Sequence, residues 1–364
     1  MGRWSRTTAL APHGSQRRVE TWTSPDGAAF PVDVTVSKAL DVLALKDTSL
    51  AAVIEYARFL QSTANELYTD REPALTSCPC CASPSSYAVE ALQVFGIAYV
   101  RCPTCGHGYV RDQPSRAALN ALFQGSEEHS GVYIDPATTE VRLAQVVRPK
   151  VQWVLAAYES ALAGSPSTMI DVGAGGGHMV RGFQEAGLSA AGYELSSASR
   201  AFAAEHLRID LLDADFLTSS GDPVDLVTMW GLLEYTADPA PFIAVARERL
   251  GSGGMLVVEV PRFDSLGTAV QGIPGAVVAR HLDPTSHLNC FSDESLATVL
   301  LAGGFRPVAA WYFGMDAYEL LVQLALRIDD EGTLAALARP ILDLQQTLDG
   351  ALLCDDIVVA AVPL

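Results

Sequence analysis

The stretch Met169-Ile170-Asp171-Val172-Gly173-Ala174-Gly175-Gly176-Gly177 decides the fold, because it joins an apolar strand candidate to a glycine-rich turn. Apolar residues recur at helical spacing after the turn, so a helix is expected to begin there and to end near Gly187. Glycine permits positive φ angles and lets a ligand approach the backbone closely. In an open α/β sheet, ligands bind outside the carboxyl ends of the strands. The stretch therefore predicts a ligand site at the carboxyl edge of a sheet.

Strand and helix candidates alternate along the chain from this point. Helix-length stretches such as 239–250 and 293–302 separate the apolar strand candidates, which are 167–172, 190–195, 209–214, 224–230, 254–260, 305–313 and 357–362. This alternation predicts an α/β fold with a parallel, doubly wound sheet and helices on both faces. Two further helical stretches form an insert at about 316–349, which we expect to cover the active site or to form a homodimer surface.

The spacing of the glycines distinguishes between two kinds of nucleotide site. A nicotinamide-dinucleotide fold needs glycine at position 178, which is His178, so that site is disfavoured. Gly173, Gly175 and Gly177 alternate after Asp171, and this pattern resembles the first motif of class I, S-adenosylmethionine-dependent methyltransferases. The resemblance implies a Rossmann-like methyltransferase sheet whose glycine loop packs along the methionine part of the cofactor. It also implies that Asp171 helps to orient the amino end of S-adenosylmethionine.

The ends of the later strand candidates extend this resemblance. Glu194 stands where the family's acidic residue binds both ribose hydroxyls, and a carboxylate can accept two such hydrogen bonds. By the same resemblance, Asp215 accepts a hydrogen bond from the adenine amino group and Phe216 lies beside the adenine ring. Trp230, in the fourth-strand motif, is also expected at the cofactor. The resemblance covers about residues 166–313 and the final strand.

Residues 76–112 hold five of the seven cysteines, together with proline and glycine. They contain two Cys-x-x-Cys pairs, formed by Cys78 and Cys81 and by Cys102 and Cys105. This spacing predicts a zinc ribbon, and a zinc ion with four protein ligands is structural rather than catalytic. Cys80 is then the spare thiol, and His107 is an alternative ligand. Disulfides are the rival interpretation, but Cys-x-x-Cys pairs in a cytoplasmic chain favour metal.

A zinc ribbon before a class I core resembles the sugar C-methyltransferases of antibiotic biosynthesis, in which this lobe helps to bind a nucleotide sugar. Less closely, it resembles certain ribosomal RNA methyltransferases. The formal net charge of −18 repels polyanions, so a small-molecule acceptor is expected and nucleic acid is disfavoured. The leading function is C- or O-methylation of a natural-product or nucleotide-sugar intermediate. The alternatives are RNA methylation with the ribbon as the RNA-binding part, and a non-catalytic partner with this fold.

The loop 280–292 follows the fifth strand candidate and holds candidate catalytic residues. His287 is the first candidate for a general base, because the pKa of histidine lies near neutrality. It aligns with the last histidine of a Tyr-His-Glu-His-Phe element of the sugar C-methyltransferases, although the residues before it differ. The alternative is that His287 only caps the following helix. His281 is a second candidate, and Tyr235, beside the expected methyl position, is a third.

The remaining segments complete the expected domain organisation. Residues 1–34 lack apolar periodicity and are expected to form a flexible arm. A helical segment at 35–75, with a helix N-cap near Ser49, precedes the ribbon, and a helical connector at 113–165 leads to the methyltransferase domain at 166–364. No apolar run reaches the length of about eighteen residues that a membrane span needs. No signal-peptide core follows the first arginines, so a cytoplasmic location is expected.

Overall fold

A computed structural model describes residues 3–8, 16–38, 49–125, 134–278, 280–328 and 331–364. Its strands are β1 Ser5–Thr8, β2 Arg17–Thr23, β3 Ala29–Val36, β4 Val89–Val94, β5 Ile97–Arg101, β6 Gly108–Val110, β7 Thr168–Val172, β8 Ser189–Tyr193, β9 Val224–Trp230, β10 Leu250–Pro261, β11 Asn289–Cys290, β12 Phe305–Phe313 and β13 Asp356–Pro363. Its helices are α1 Leu50–Leu67, α2 Arg116–Gly125, α3 Thr139–Arg142, α4 Arg148–Leu162, α5 His178–Glu185, α6 Ser197–Phe202, α7 Ala240–Arg249, α8 Leu266–Gln271, α9 Asp293–Ala302, α10 Asp316–Ile328 and α11 Glu331–Gly350.

A large sheet of nine strands has the order β1-β2-β3-β12-β13-β10-β9-β7-β8. The strands β8, β7, β9 and β10 are parallel neighbours, so their carboxyl ends lie together at one edge of the sheet. Helices α7 and α9 pack on one face of this sheet, and α4 and α5 pack on the other. The predicted fold class, an α/β doubly wound Rossmann-like sheet with an N-terminal module, is confirmed.

The last strand departs from the expected parallel sheet. β13 is antiparallel to both β10 and β12, so the prediction of an all-parallel sheet is wrong at this point. Asp356 at the start of β13 lies opposite Phe313 at the end of β12. The helical insert therefore leaves and re-enters the sheet at the same edge, and the chain reverses direction without a crossover.

The predicted strand at 209–214 is also wrong. A single bridge joins Leu212 to Tyr193 at the end of β8. Leu212 is 44 % exposed, so the segment buries too little apolar surface to continue the pairing. β8 is therefore the edge strand of the large sheet.

The expectation of a flexible arm at 1–34 is wrong, because β1, β2 and β3 extend the large sheet. β3 pairs in parallel with β12, where Asp33 lies opposite Ala309. Alternate residues of β3 are buried in the period-two pattern of a half-buried strand, namely Phe30, Val32, Val34 and Val36.

The helical parts agree with the sequence where the structure describes them. The predicted N-cap of α1 is confirmed, because the Ser49 hydroxyl accepts a hydrogen bond from Ala52 N over 3.3 Å. The part of the predicted helical segment at 39–48 lies outside the described residues. The predicted insert consists of α10 and α11, and α10 packs against α1 through Leu321 and Val53. Its part in a homodimer stays a prediction.

Among the helices described, none combines the length and apolar character that crossing a membrane requires.

A buried network of charges attaches the N-terminal strands to the rest of the molecule. Glu20 of β2 is 2 % exposed and forms ion pairs with Arg6 and Arg18. Arg6 also pairs with Asp293 at the start of α9, which accepts a hydrogen bond from Arg262 Nε over 2.9 Å. Burial alone would raise the pKa of Asp293, but the guanidinium groups of Arg262 and Arg6 outweigh it and lower the pKa.

Glu20→Gln tests this packed arrangement. Removing one charge of a buried network leaves its partners uncompensated, so the free energy of unfolding should fall by about 3 kcal/mol. Glu90→Gln, on the exposed face of β4, is the matched control and should have little effect. Calorimetric melting of both variants measures the difference. A flexible arm would instead leave the melting temperature unchanged in both.

Candidate active site and metal centre

The glycine loop lies at the carboxyl edge, between β7 and α5. Gly173, Gly175 and Gly177 have φ angles of +70°, +51° and +79°, in the left-handed region that glycine adopts at little cost. A Cβ on Gly173 would stand 2.9 Å from Leu232 Cδ1, whereas a Cβ on Gly175 would meet no atom within 4 Å. The backbone at Gly175 therefore faces open space, as a ligand-binding loop requires.

Two acidic residues predicted at the cofactor lie beside this loop. Asp171 is 1 % exposed, and its Oδ1 accepts a hydrogen bond from Thr228 Oγ1 over 2.6 Å. Burial raises the pKa of Asp171 to about 7. Glu194 Oε2 accepts from Gly175 N and Oε1 accepts from Ser196 N, both over 2.7 Å. Burial also raises the pKa of Glu194. The fold thus brings the glycine motif and the second-strand carboxylate into direct contact.

The other predicted cofactor residues differ in their surroundings. Asp215 is exposed, and its Oδ1 accepts a hydrogen bond from Leu217 N over 2.9 Å. Phe216 is buried and packs edge-on against Tyr193, with ring centroids 5.5 Å apart. The ring therefore belongs to the core, and its place beside the adenine ring stays a prediction. Trp230 ends β9, and its buried Nε1 has no hydrogen-bond partner among the described residues.

A buried ion pair that no sequence pattern predicted lies at the same edge. Lys150 of α4 is 6 % exposed and pairs with Glu259 near the end of β10. Its Nζ lies 4.9 Å from the centroid of the Trp230 ring, a cation–π contact. Lys38 follows β3, 4.6 Å from the Phe313 ring centroid, and burial together with the Lys150 charge lowers its pKa to about 7. The chain has only three lysines, and this scarcity was the only signal in the sequence that could have drawn attention to Lys38 and Lys150.

Tyr235 and His287, predicted separately, lie together in the structure. Their rings meet edge to face, with centroids 5.6 Å apart. Phe123 of α2 also contacts the Tyr235 ring, at 5.5 Å. His287 Nδ1 hydrogen-bonds to the carbonyl oxygen of His281, so the proton of the neutral imidazole lies on Nδ1 and the lone pair on Nε2. This tautomer can accept a proton at Nε2.

The side chain of His281, the second catalytic candidate, lies in the core, and its catalytic role stays a prediction. The side chain is 1 % exposed, and its Nε2 hydrogen-bonds to Thr268 Oγ1 over 2.9 Å. Its Nδ1 lies 4.0 Å from Asp355 Oδ2, and burial lowers the pKa of His281 well below the ordinary value. His281 is a neutral core residue that contributes its carbonyl to His287. Glu234, beside Tyr235, is buried too, and burial raises its pKa well above the ordinary value.

The four predicted zinc ligands converge. The sulfur atoms of Cys78, Cys81, Cys102 and Cys105 all lie within 4.8 Å of one another. The Cys78–Cys105 and Cys81–Cys102 sulfur distances are 3.7 and 3.6 Å, too long for disulfides. Tetrahedral thiolates at zinc–sulfur distances of about 2.3 Å would be separated by ~3.8 Å, so the group fits zinc.

The turns around the cysteines follow a common plan. A residue in the left-handed region follows each Cys-x-x-Cys pair, Ala82 at φ +55° and Gly106 at φ +74°. His107 is fully buried, with its ring nitrogens hydrogen-bonded to Asn289 and Ser295, so it is not a ligand. Cys80 lies outside the group of four sulfurs, as expected of a spare thiol.

The middle of the chain is similar to known methyltransferases. Residues 147–310 match a family described as a methyltransferase domain, a range that includes the glycine loop and His287. This match confirms the predicted enzyme class at the level of a methyltransferase. No curated protein matches the chain.

Similar solved structures include several methyltransferases. A magnesium protoporphyrin IX methyltransferase from Synechocystis PCC 6803 is 13 % identical, with a TM-score of 0.46 over 69 % of this chain and 100 % of that one. A plantazolicin methyltransferase is 12 % identical, with a TM-score of 0.45 over 67 % and 94 %. A sugar N-methyltransferase from Streptoalloteichus sp ATCC 53650 is 22 % identical, with a TM-score of 0.33 over 45 % and 80 %. Such distant likeness says nothing about the acceptor.

Zinc binding stays a prediction, and two neighbouring cysteines test it. We expect one zinc ion per chain, and Cys105→Ser should lower zinc retention sharply because it removes a thiolate ligand. Cys80→Ser is the matched control, since this buried thiol lies outside the group of four sulfurs. Metal analysis of each protein after dialysis against a weak chelator gives the zinc content. Equal zinc loss in both variants, or none in the wild type, would contradict the assignment.

Proposed function

We propose that this chain transfers the methyl group of S-adenosylmethionine to carbon or oxygen of a small molecule, a natural-product or nucleotide-sugar intermediate. One contact carries the proposal, the hydrogen bond of 2.7 Å from Gly175 N to Glu194 Oε2. It joins the two motifs that would hold adjoining parts of one cofactor, the methionine part and the ribose. The remaining roles follow from the residues around that contact.

The cofactor is proposed to lie along the glycine loop, with its ribose at Glu194. Each carboxylate oxygen of Glu194 accepts one backbone N–H, and this fixes the carboxylate while leaving lone pairs for the two hydroxyls. Asp171 would bind the amino end, where an ammonium group favours the ionised carboxylate that burial disfavours. Asp215 would accept from the adenine amino group, and Trp230 would contact the cofactor at the end of β9.

The acceptor is proposed to bind between Trp230 and the Tyr235–His287 pair. Bound S-adenosylmethionine supplies a methyl group on a positively charged sulfur. The residues around it have to align the acceptor atom with that methyl group and to take up the proton that an O–H or C–H acceptor loses. His287 suits this second task, because its Nδ1 proton is engaged by the His281 carbonyl and its Nε2 carries the lone pair.

The electrostatics favour a small molecule over a polyanion. The formal net charge is −18, and the ionisable groups near the proposed acceptor site include the acids Glu259, Asp356 and Glu234. Lys150 is already paired with Glu259. An RNA backbone would need several uncompensated cations at this surface. RNA methylation therefore remains the alternative outcome of the experiments below.

Gly175→Val tests the cofactor site. Valine strains the left-handed backbone and projects into the open space of the loop, so binding of S-adenosylmethionine should be lost while zinc content is retained. Gly187→Val is the matched control, since Gly187 also has a positive φ, +93°, and open space around its Cβ position. Titration calorimetry with S-adenosylmethionine compares the two. Retained binding in Gly175→Val would overturn the site assignment.

His287→Ala tests the acceptor side. Deuteromethyl S-adenosylmethionine is supplied to the wild type with pools of nucleotide sugars, natural-product intermediates and total RNA, and labelled products are identified by mass spectrometry. We expect a labelled small molecule, and about a hundredfold slower labelling in His287→Ala with unchanged cofactor affinity. His206→Ala, at a histidine of the π-helical turn Ala203–Leu207, is the control. Labelled RNA, or full turnover in His287→Ala, would contradict the proposal.

A further inference from the structure

The loop that carries His287 belongs to the zinc ribbon as much as to the methyltransferase domain. β11 pairs with β6, and this pairing makes β11 the edge strand of the four-stranded sheet β11-β6-β5-β4. Asn289 lies opposite Tyr109, and Cys290 lies opposite Gly108. Val110 N also donates to Leu288 O over 2.9 Å. The backbone that follows His287 directly is therefore held by the ribbon.

Two buried tyrosines hold the backbone of the same loop from the N-terminal side. Tyr99 of β5 is fully buried, and its hydroxyl donates to His287 O over 2.8 Å. Tyr68, directly after α1, donates to Pro284 O over 2.8 Å. The Tyr68 bond is buried and the Tyr99 bond is partly buried, so losing either one leaves a carbonyl shielded from much of the solvent without its tyrosine donor.

A second path leads from the ribbon to the Tyr235 turn. Asn289 Nδ2 donates to Thr236 O over 2.6 Å, so Asn289 Oδ1 is the atom that faces His107 Nε2 at 2.9 Å. His107 must therefore carry its proton on Nε2 and donate it. The carbonyl of His107 accepts from Cys102 N over 2.8 Å, within the second zinc-binding turn. A continuous chain of contacts thus connects Cys102, His107, Asn289 and Thr236.

We infer that the zinc ribbon is the device that positions the Tyr235–His287 pair, with Tyr99 and Asn289 as its positioning residues. Tyr99 holds the backbone of His287, and Asn289 holds the turn that carries Tyr235. Both residues are fully buried and neither contact depends on the cofactor. The chemical meaning of the pair rests on the proposed function, but its geometry does not.

Tyr99→Phe tests the inference without an acceptor. The variant loses only the hydroxyl bonded to His287 O, whereas Tyr109→Phe, the matched control, loses a buried hydroxyl bonded to Ser85 within the ribbon. The probe is each protein labelled with ¹³C in its histidine rings, and the His287 signal is identified by its absence in His287→Gln. The pH titration and chemical shift of His287 are recorded, with His206 as the internal reference.

We expect Tyr99→Phe to shift the His287 signal and its titration, because the ring leaves its edge-to-face contact with Tyr235. Tyr109→Phe should leave both unchanged, and both variants should keep their zinc. An unmoved His287 in Tyr99→Phe, or equal shifts in both variants, overturns the inference. Tyr68→Phe repeats the test at Pro284 O if Tyr99→Phe does not fold. Calorimetry measures S-adenosylmethionine binding and so tests the proposed function separately, because that binding depends on the glycine loop and not on His287.

Discussion

In the register of the large sheet, Asp171 of β7 lies opposite Gly192 of β8 and Thr228 of β9. Because these strands are parallel, everything that follows them emerges at one edge: the glycine loop after β7, Glu194 after β8 and Tyr235 after β9. The contacts between Asp171 and Thr228, and between Gly175 and Glu194, are consequences of that register. A shift of one residue would turn Asp171 to the other face and separate all of them.

The central strands were predictable because their own sequences are apolar on both faces and end in turn residues. The N-terminal strands were not, because their burial depends on β12, almost three hundred residues away in the chain. Glu20 and Arg6 also make these strands difficult to predict, since charged residues indicate an exposed segment unless their ion-pair partners are known. The direction of β13 depends on where the helical insert returns, and no local pattern encodes that.

The candidate site, like the fold, has parts that could be predicted from the sequence and parts that could not. The cluster of four cysteines and the glycine loop could be predicted because each follows a short, fixed spacing within one segment. Only the resemblance ranked His287 above His281, since both are histidines of one loop and the burial of the His281 ring depends on packing. The Lys150–Glu259 pair was not predicted for a different reason: one partner lies on a helix and the other on a strand far away in the sequence.

The ribbon that holds the proposed zinc site addresses a difficulty in placing His287. His287 lies in the long connection between β10 and β11, and connections of this length usually have several conformations. Catalytic groups need placement within about 0.5 Å, which such a loop cannot provide by itself. Pairing β11 with β6 gives the loop an anchor, yet a small sheet of short strands is barely stable alone. Four thiolates around a metal ion would stabilise that sheet without a large apolar core, and would thereby fix the loop that it holds.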